Sequence, residues 1–140
     1  MAYGRPSSTN DPRDYIVIGN VITGTGLYTR PITGTQQVIT KAFSTVGYSD
    51  AVLFFDRFLG IMAGDIVTVH GCTVSPSACY LMWQNTGAVV DTTWTRVTHM
   101  LPALTRNSPS VQIRFGLGPV VATGASSFGW NIRNILVIGT

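Results

Sequence analysis

The chain has 140 residues, with no glutamate, one lysine, eight arginines and six aspartates, and its net charge is +3. Only 11% of the residues are charged, against roughly 25% in an ordinary soluble domain, whereas 44 residues are Thr, Val or Ile. Because charged helix formers are scarce and residues suited to a pleated surface abound, this composition excludes an all-α fold and disfavours a helix-rich α/β fold.

The first fourteen residues differ from the rest of the chain. They are rich in Gly, Pro, Ser and Asn and have no aliphatic side chain after the second residue. Such a segment cannot bury enough apolar surface to offset its ordering entropy. We therefore predict an N-terminal arm over residues 1–14 and a single domain over residues 15–140. The arm carries Tyr3, Arg5 and Arg13, which are residue types found at protein interfaces.

From residue 15 onward, short β-prone runs alternate with turn clusters rich in Gly, Pro, Ser and Thr. The clearest run, Val111–Leu117, alternates apolar and polar side chains, so one face packs and the other meets solvent or a partner. Eight such runs predict an all-β fold, a two-sheet antiparallel sandwich of jelly-roll type. The predicted strands are 15–22, 36–43, 51–59, 65–71, 78–85, 93–101, 111–117 and 130–138.

The predicted strand at 51–59 carries apolar side chains at both its odd and its even positions. Successive side chains of a strand point to opposite faces, so both faces of this strand need cover. The second sheet covers one face, and a loop, the arm or a neighbouring subunit must cover the other. The residues that we predict for this interface strand are Phe54, Phe55, Arg57 and Phe58.

Residues able to carry catalysis are few. General acid–base chemistry usually needs a histidine or carboxylate beside a partner, but His70 and His99 each stand alone in a predicted strand. We interpret both as hydrogen-bonded strand histidines, and the sequence leaves open whether they meet in space. No nucleophile elbow, Walker loop, zinc-protease motif or EF-hand loop occurs. We therefore predict that the protein is not an enzyme and has no catalytic residue, cofactor or metal site.

The two cysteines, Cys72 and Cys79, flank a turn signal at Ser75–Ser77. A hairpin would bring the thiols together, but one pair is not a disulfide framework, and the spacing is not that of a zinc or redox motif. We favour two buried free thiols over a disulfide, because free cysteine behaves as a small apolar residue.

Membrane and nucleic-acid partners are both disfavoured. The longest uninterrupted apolar run is Ala51–Phe55, whereas a spanning helix needs about 20 residues. The N-terminus also lacks the apolar core of a signal peptide, so we expect synthesis in the cytoplasm. Arg96, Arg114 and Arg133 alternate outward on predicted strands and could line up across one sheet. Three arginines are a modest footprint for phosphate binding, and we interpret them as donors at a protein interface.

The second half of the chain carries a recognisable pattern. A tryptophan opens the strand within Asp91–Thr98, an alternating strand follows at Val111–Phe115, and Gly129–Val137 closes as aromatic-x-Ile-x-Asn-Ile. Over residues 50–140 this pattern resembles the carbohydrate-binding kind of jelly-roll module, which phages reuse in tail appendages and as capsid decoration proteins. With its size, polar arm and scarcity of flexible charged residues, the chain most resembles a capsid cement (decoration) protein of a tailed bacteriophage.

The resemblance implies a structural virion protein on the outer capsid surface, with no cofactor and no catalytic residues. Such a protein binds the major capsid protein, bridges neighbouring subunits and often forms a homo-oligomer, a dimer or a trimer. In this chain we expect the arm residues Tyr3, Arg5 and Arg13 to anchor it to the capsid.

An alternative function is that of a glycan-binding jelly-roll module of a phage tail fibre or spike. A sugar site needs an exposed aromatic platform with polar groups at its edge. The candidates for this platform are Trp83, Trp94 and Trp130. A tryptophan that opens a strand can instead close the end of the core, and we favour that interpretation for each.

Overall fold

The computed structural model describes residues 16–19, 30–121 and 129–140. Within these ranges, nine β-strands and a short 3-10 turn over residues 103–105 form two antiparallel sheets. The strands are β1 (Ile16–Ile18), β2 (Gln36–Ile39), β3 (Ala51–Ile61), β4 (Val67–Thr73), β5 (Ala78–Gln84), β6 (Val89–Val90), β7 (Thr95–Met100), β8 (Val111–Leu117) and β9 (Gly129–Gly139).

The two sheets share the strands almost equally. In the five-stranded sheet, β9 lies between β1 and β3, and β3 pairs along its other edge with β6 and β7. The four-stranded sheet has the order β2-β8-β4-β5. The predicted all-β, two-sheet antiparallel sandwich is therefore confirmed, while its jelly-roll connectivity stays a prediction.

The inner faces of both sheets meet in one apolar core. As predicted, β8 buries its four apolar residues completely, whereas Arg114 between them points to the opposite face and is half-buried. Phe55 of β3, Phe115 of β8 and Trp130 of β9 pack edge to face with ring centroids 5.1 to 6.3 Å apart. Aromatic pairs in this arrangement add about 0.5–1.5 kcal/mol beyond the burial of their area.

All eight predicted strands appear at the expected places, most of them with shifted ends. The sequence did not predict β6, which has two residues and pairs with Gly60 and Ile61 of β3. The predicted arm over residues 1–14 lies outside the described residues.

The prediction of two free thiols was wrong, because Cys72 and Cys79 form a disulfide between β4 and β5. These strands form a hairpin in which Thr73 pairs with Ala78, so the next pair outward is Cys72 with Cys79. Their Cα atoms are 4.1 Å apart. Directly opposed residues of an antiparallel pair share a face, which brings the two sulfur atoms together.

Candidate functional site: an apolar outer face

Five apolar side chains lie side by side on the face of the five-stranded sheet that is turned away from the core. The strand register places Val52 of β3 between Met100 of β7 and Ile138 of β9, and it places Phe54 beside Leu136. Met100, Leu136 and Ile138 are 54%, 50% and 46% exposed. We call Val52, Phe54, Met100, Leu136 and Ile138 the outer patch.

The outer patch follows from strand alternation and one β-bulge. Leu53 and Phe55 of β3 point into the core, so its even-numbered residues point outward. The register between β3 and β9 shifts by one residue at Asn134, whose φ of 52° is left-handed. Beyond this bulge, Leu136 and Ile138 of β9 occupy the outer face. As predicted, β3 is apolar on both faces.

A polar border at Asp56 limits the outer patch. The carboxylate of Asp56 accepts hydrogen bonds from Nε of Arg96 at 2.5 Å and Nδ2 of Asn134 at 2.7 Å, and it lies 3.6 Å from Nε of Arg133. Burial by itself raises the pKa of Asp56, but these hydrogen bonds and the two guanidinium charges outweigh it and lower the pKa. With two arginines to one aspartate, the border is positively charged.

The outer patch is small for a permanent interface. Three half-exposed aliphatic side chains and two partly covered neighbours offer roughly 300–400 Å² of apolar surface, which is the size of the largest patch on many monomers. A stable interface of standard size buries about 800 Å² on each partner. The outer patch therefore suits one of several modest contacts that act together.

Two of the four residues predicted for the interface strand do not face outward. Phe55 is 1% exposed and belongs to the core, so its predicted interface role was wrong. The interface role predicted for Arg57 was also wrong, because this side chain points inward. Two of its nitrogens donate hydrogen bonds to the carboxylate of Asp91, at 2.9 and 3.2 Å. Asp91 lies 34 positions away in the sequence, and local pattern could not indicate this pair. Phe54 and Phe58 do lie on the outer face.

Two of the three tryptophans predicted as glycan platforms, Trp83 and Trp130, point toward the space between the sheets. Trp130 is fully buried, so the platform prediction was wrong there, and the tryptophan closes the core instead. Trp83 lies between the sheets, where it stacks on His99 with centroids 6.2 Å apart. The Arg57 guanidinium lies 5.6 Å from the centre of the Trp83 ring. Trp130 therefore offers no open face to a sugar ring, whereas the platform role of the partly buried Trp83 stays a prediction.

Trp94 lies at the far end of the polar border. Its ring contacts Phe58 edge to face at 5.9 Å, and the Arg133 guanidinium lies 4.1 Å from its centre. This distance is that of a cation–π contact. The cation covers one of the two aromatic faces that could receive a sugar.

The two histidines do not meet. His70 lies on the outer face of the four-stranded sheet beside Arg114, whereas His99 is on the inward side of β7. Burial lowers the pKa of both imidazoles, and Arg114 and Arg57 respectively lower it further. Within residues 16–19, 30–121 and 129–140, no three His, Cys, Asp or Glu side chains are grouped as metal ligands.

The three arginines that could have lined up across one sheet are divided between the sheets. Arg96 and Arg133 both contact Asp56 on the five-stranded sheet. Arg114 lies on β8 in the four-stranded sheet, so the three arginines do not form one row. The arm residues Tyr3, Arg5 and Arg13 are outside the described residues. Among the described residues, no helix is long and apolar enough to span a membrane.

The sequence prediction missed most of the outer patch, namely Val52, Met100, Leu136 and Ile138. A signal for two of these residues was present, because Ile135–Ile138 is an unbroken apolar run within a strand. Alternation must place half of such a run on the face away from the core.

Neither protein-family models nor curated proteins match this chain.

Proposed function

We propose that this protein is a structural virion protein that binds the outside of an assembled phage capsid and stabilises it by bridging neighbouring major capsid protein subunits. The outer patch carries the proposal, because a contiguous apolar surface on an otherwise folded sandwich is typical of a protein-binding face. The positive border at Arg96 and Arg133 favours a partner surface with an apolar centre and an acidic rim.

The strand order supports a jelly-roll architecture for this protein. The sheets read β1-β9-β3-β7 and β2-β8-β4-β5, with β6 as a short addition at the edge of β3. Consecutive strands cross repeatedly from one sheet to the other, as expected for an eight-strand jelly roll.

The size of the outer patch fits bridging better than tight binding by a single contact. Two modest contacts on a preassembled lattice reinforce each other, since the first holds the second at high effective concentration. We assign the second contact to the arm, with Tyr3, Arg5 and Arg13 as anchors. In this proposal the protein is made in the host cytoplasm and ends on the outer capsid surface.

Co-sedimentation tests the proposal. Purified protein is mixed with assembled capsids of the phage that encodes it, and the bound fraction is measured at increasing protein concentration. Binding that saturates at a fixed number of copies per capsid, with capsids that resist heating better, is the expected result. Protein that stays in the supernatant at every concentration would contradict the proposal.

A glycan array separates the proposal from the glycan-binding alternative. The alternative requires saturable binding of a sugar that is lost in Trp94→Ala or in Trp83→Ala, the substitutions at the two candidate platforms that are only partly buried. The capsid-binding proposal expects no sugar to bind even at about millimolar concentration.

A further inference from the structure

The disulfide between Cys72 and Cys79 joins a buried residue to an exposed one on the outer face of the four-stranded sheet. Cys72 is 0% exposed, whereas Cys79 is exposed to solvent. The strand order β2-β8-β4-β5 explains the difference. Cys72 lies on β4, with Cys79 on one side and Gln112 of β8 on the other, while Cys79 lies on β5 at the end of that order.

The direction of the bond decides which sulfur a thiol can reach. A thiolate opens a disulfide by attacking one sulfur from the side opposite the other sulfur, in line with the bond that breaks. An attack on Sγ of Cys79 comes from beyond β5, where this residue faces solvent. An attack on Sγ of Cys72 would have to come from the side of β8, across the position of Gln112. Cys79 is therefore the sulfur that can exchange.

The face around the disulfide carries positive charge and no carboxylate. The four strands of this sheet contain no aspartate or glutamate, and their two basic residues, Arg114 and His70, lie side by side on this face. Arg114 is two residues from Gln112 along β8, so it lies diagonally across from Cys72. None of the salt bridges among the described residues involves Arg114. An unpaired cation attracts anionic reactants and stabilises thiolates.

Contacts other than the disulfide also hold the hairpin of β4 and β5. The hydroxyl of Thr73 donates a hydrogen bond to the carbonyl of Pro76 at 2.6 Å, and the N–H of Val74 donates one to the carbonyl of Ser110 at 3.1 Å. On its other side, β4 pairs with β8 along its whole length. Reduction should therefore leave the two thiols opposite each other in a folded sheet, where the bond can close again.

We propose that the Cys72–Cys79 disulfide is a reversible exchange site for a small anionic thiol of the chemical class of glutathione. The thiolate bonds to Sγ of Cys79, the bond between the two Sγ atoms breaks, and Cys72 leaves as a thiolate that takes a proton from water. A second thiolate attacks the sulfur of the bound molecule and frees Cys79, which is protonated in turn. The cysteines gain two electrons and two protons, and two small thiols become one small disulfide. Glutathione disulfide closes the bond by the reverse steps.

The exchange gives the protein two states in two surroundings. The cytoplasm keeps accessible protein thiols reduced, whereas disulfides persist outside the cell. The chain would hold two thiols where it is made, and the bond would close on the capsid after the cell has released it. This order of events rests on the proposed function, whereas the exchange chemistry does not.

Single-cysteine variants test which sulfur exchanges. Cys72→Ser leaves the exposed thiol and Cys79→Ser leaves the buried one, so both variants lose the same bond. With glutathione disulfide in native buffer, Cys79 should take up glutathione, and Cys72 should react at least about a hundredfold more slowly because it must wait for local opening of the sheet. Mass spectrometry follows both reactions. Equal rates, or a faster reaction at Cys72, would overturn the proposal.

Wild-type protein gives a second test that needs no substitution. Glutathione in native buffer should reduce the bond while the circular dichroism of the sheets stays unchanged, and added glutathione disulfide should restore the bond. A bond that opens only at urea concentrations that unfold the protein would overturn the proposal.

The charge of the thiol tests the role of the cationic face. The quantity measured is the rate of reduction by anionic glutathione divided by the rate with cationic cysteamine, at low salt. Arg114→Gln should lower this ratio about threefold, because the nearby charge steers the anion. Arg96→Gln removes a cation from the other sheet and should leave the ratio unchanged. An equal ratio in wild type and Arg114→Gln, or an equal fall in both variants, would overturn the choice of an anionic thiol.

The exchange proposal and the capsid proposal fail separately. A protein that exchanges with glutathione but ignores capsids refutes the capsid proposal alone. A protein that decorates capsids but whose folded form resists glutathione refutes the exchange proposal alone.

Discussion

The two sheets of the sandwich turn unlike faces outward, although each exposes large apolar side chains. On the five-stranded sheet, Ile138, Val52 and Met100 form one row across three strands, and Leu136 and Phe54 form the next. Apolar side chains are therefore neighbours in both directions.

The four-stranded sheet has an equally exposed pair of aliphatic residues that do not touch. Ile39 and Leu81 are 46% and 54% exposed, but they stand at opposite ends of a row whose two middle positions are Arg114 and His70. Isolated exposed apolar residues are normal on protein surfaces, whereas a contiguous group indicates a binding face. Strand register, rather than the number of apolar residues, distinguishes the two faces.

The largest expected effect is a difference in stability loss between substitutions at two consecutive residues of β3, Phe55 and Phe54. Phe55→Ala removes a fully buried ring from the core and should lower the free energy of unfolding by about 3–5 kcal/mol. Phe54→Ala removes a partly exposed ring of the outer patch and should cost less than about 1.5 kcal/mol. Urea denaturation of both variants measures the difference. Equal losses would show that the outer face is packed as tightly as the core.

The disulfide on the four-stranded sheet should give the next largest effect. Replacing Cys72 and Cys79 together with Ala opens a short hairpin loop and should lower the free energy of unfolding by about 2–3 kcal/mol. Chemical denaturation with and without a reductant measures this loss. The reductant should shift the wild-type midpoint but not that of the double variant, and an unchanged wild type would contradict the assignment of the bond.

Most of the sandwich could be predicted from the sequence, because its signals are local. Alternation and turn clusters located eight strands, and the alternating run at Val111–Leu117 predicted which of its faces is buried. The disulfide was also within reach, since a four-residue turn between positions 73 and 78 sets positions 72 and 79 opposite each other. The apolar character of free cysteine favoured two buried thiols, but the hairpin register sets the two side chains opposite each other.

The outer face was less predictable because it depends on contacts that are distant in sequence. Val52 is adjacent to both Met100 and Ile138, and no local pattern encodes that meeting. The bulge at Asn134 also decides which residues of β9 face outward. From alternation alone, either the odd or the even residues of this part of β9 could face outward, because a shift of one residue in register exchanges the two faces.

The polar border gives a smaller effect with a matched control. Asp56→Asn leaves the nearby Arg96 and Arg133 without a countercharge and should cost about 1–2 kcal/mol of stability. Asp50→Asn breaks a solvent-exposed pair with Arg106, whose side chain is 43% exposed, and should cost less than about 0.5 kcal/mol. Thermal unfolding compares the two variants. A loss in Asp50→Asn as large as that in Asp56→Asn would contradict a special role for the border.

The smallest effect concerns pH. The pKa of His70 and of His99 is lower in the folded protein than the ordinary value of 6.5, so the unfolded chain binds more protons as the pH falls. Stability should therefore be constant above pH 6.5 and decline as the pH falls through the folded pKa values. His99→Gln and His70→Gln should each flatten that decline, as measured by the urea midpoint between about pH 7 and pH 5. A midpoint that rises on acidification would contradict the direction of both shifts.

The central claim is that the protein docks through the outer face of the five-stranded sheet. Its most direct test compares Met100→Lys with Leu81→Lys, because both residues are 54% exposed on a strand, one on each sheet. The measurement is the number of copies bound per assembled capsid after co-sedimentation. Met100→Lys should reduce occupancy at least tenfold at limiting protein concentration, and Leu81→Lys should match the wild type. Equal occupancy by both variants, or a loss confined to Leu81→Lys, would contradict the assignment of the docking face.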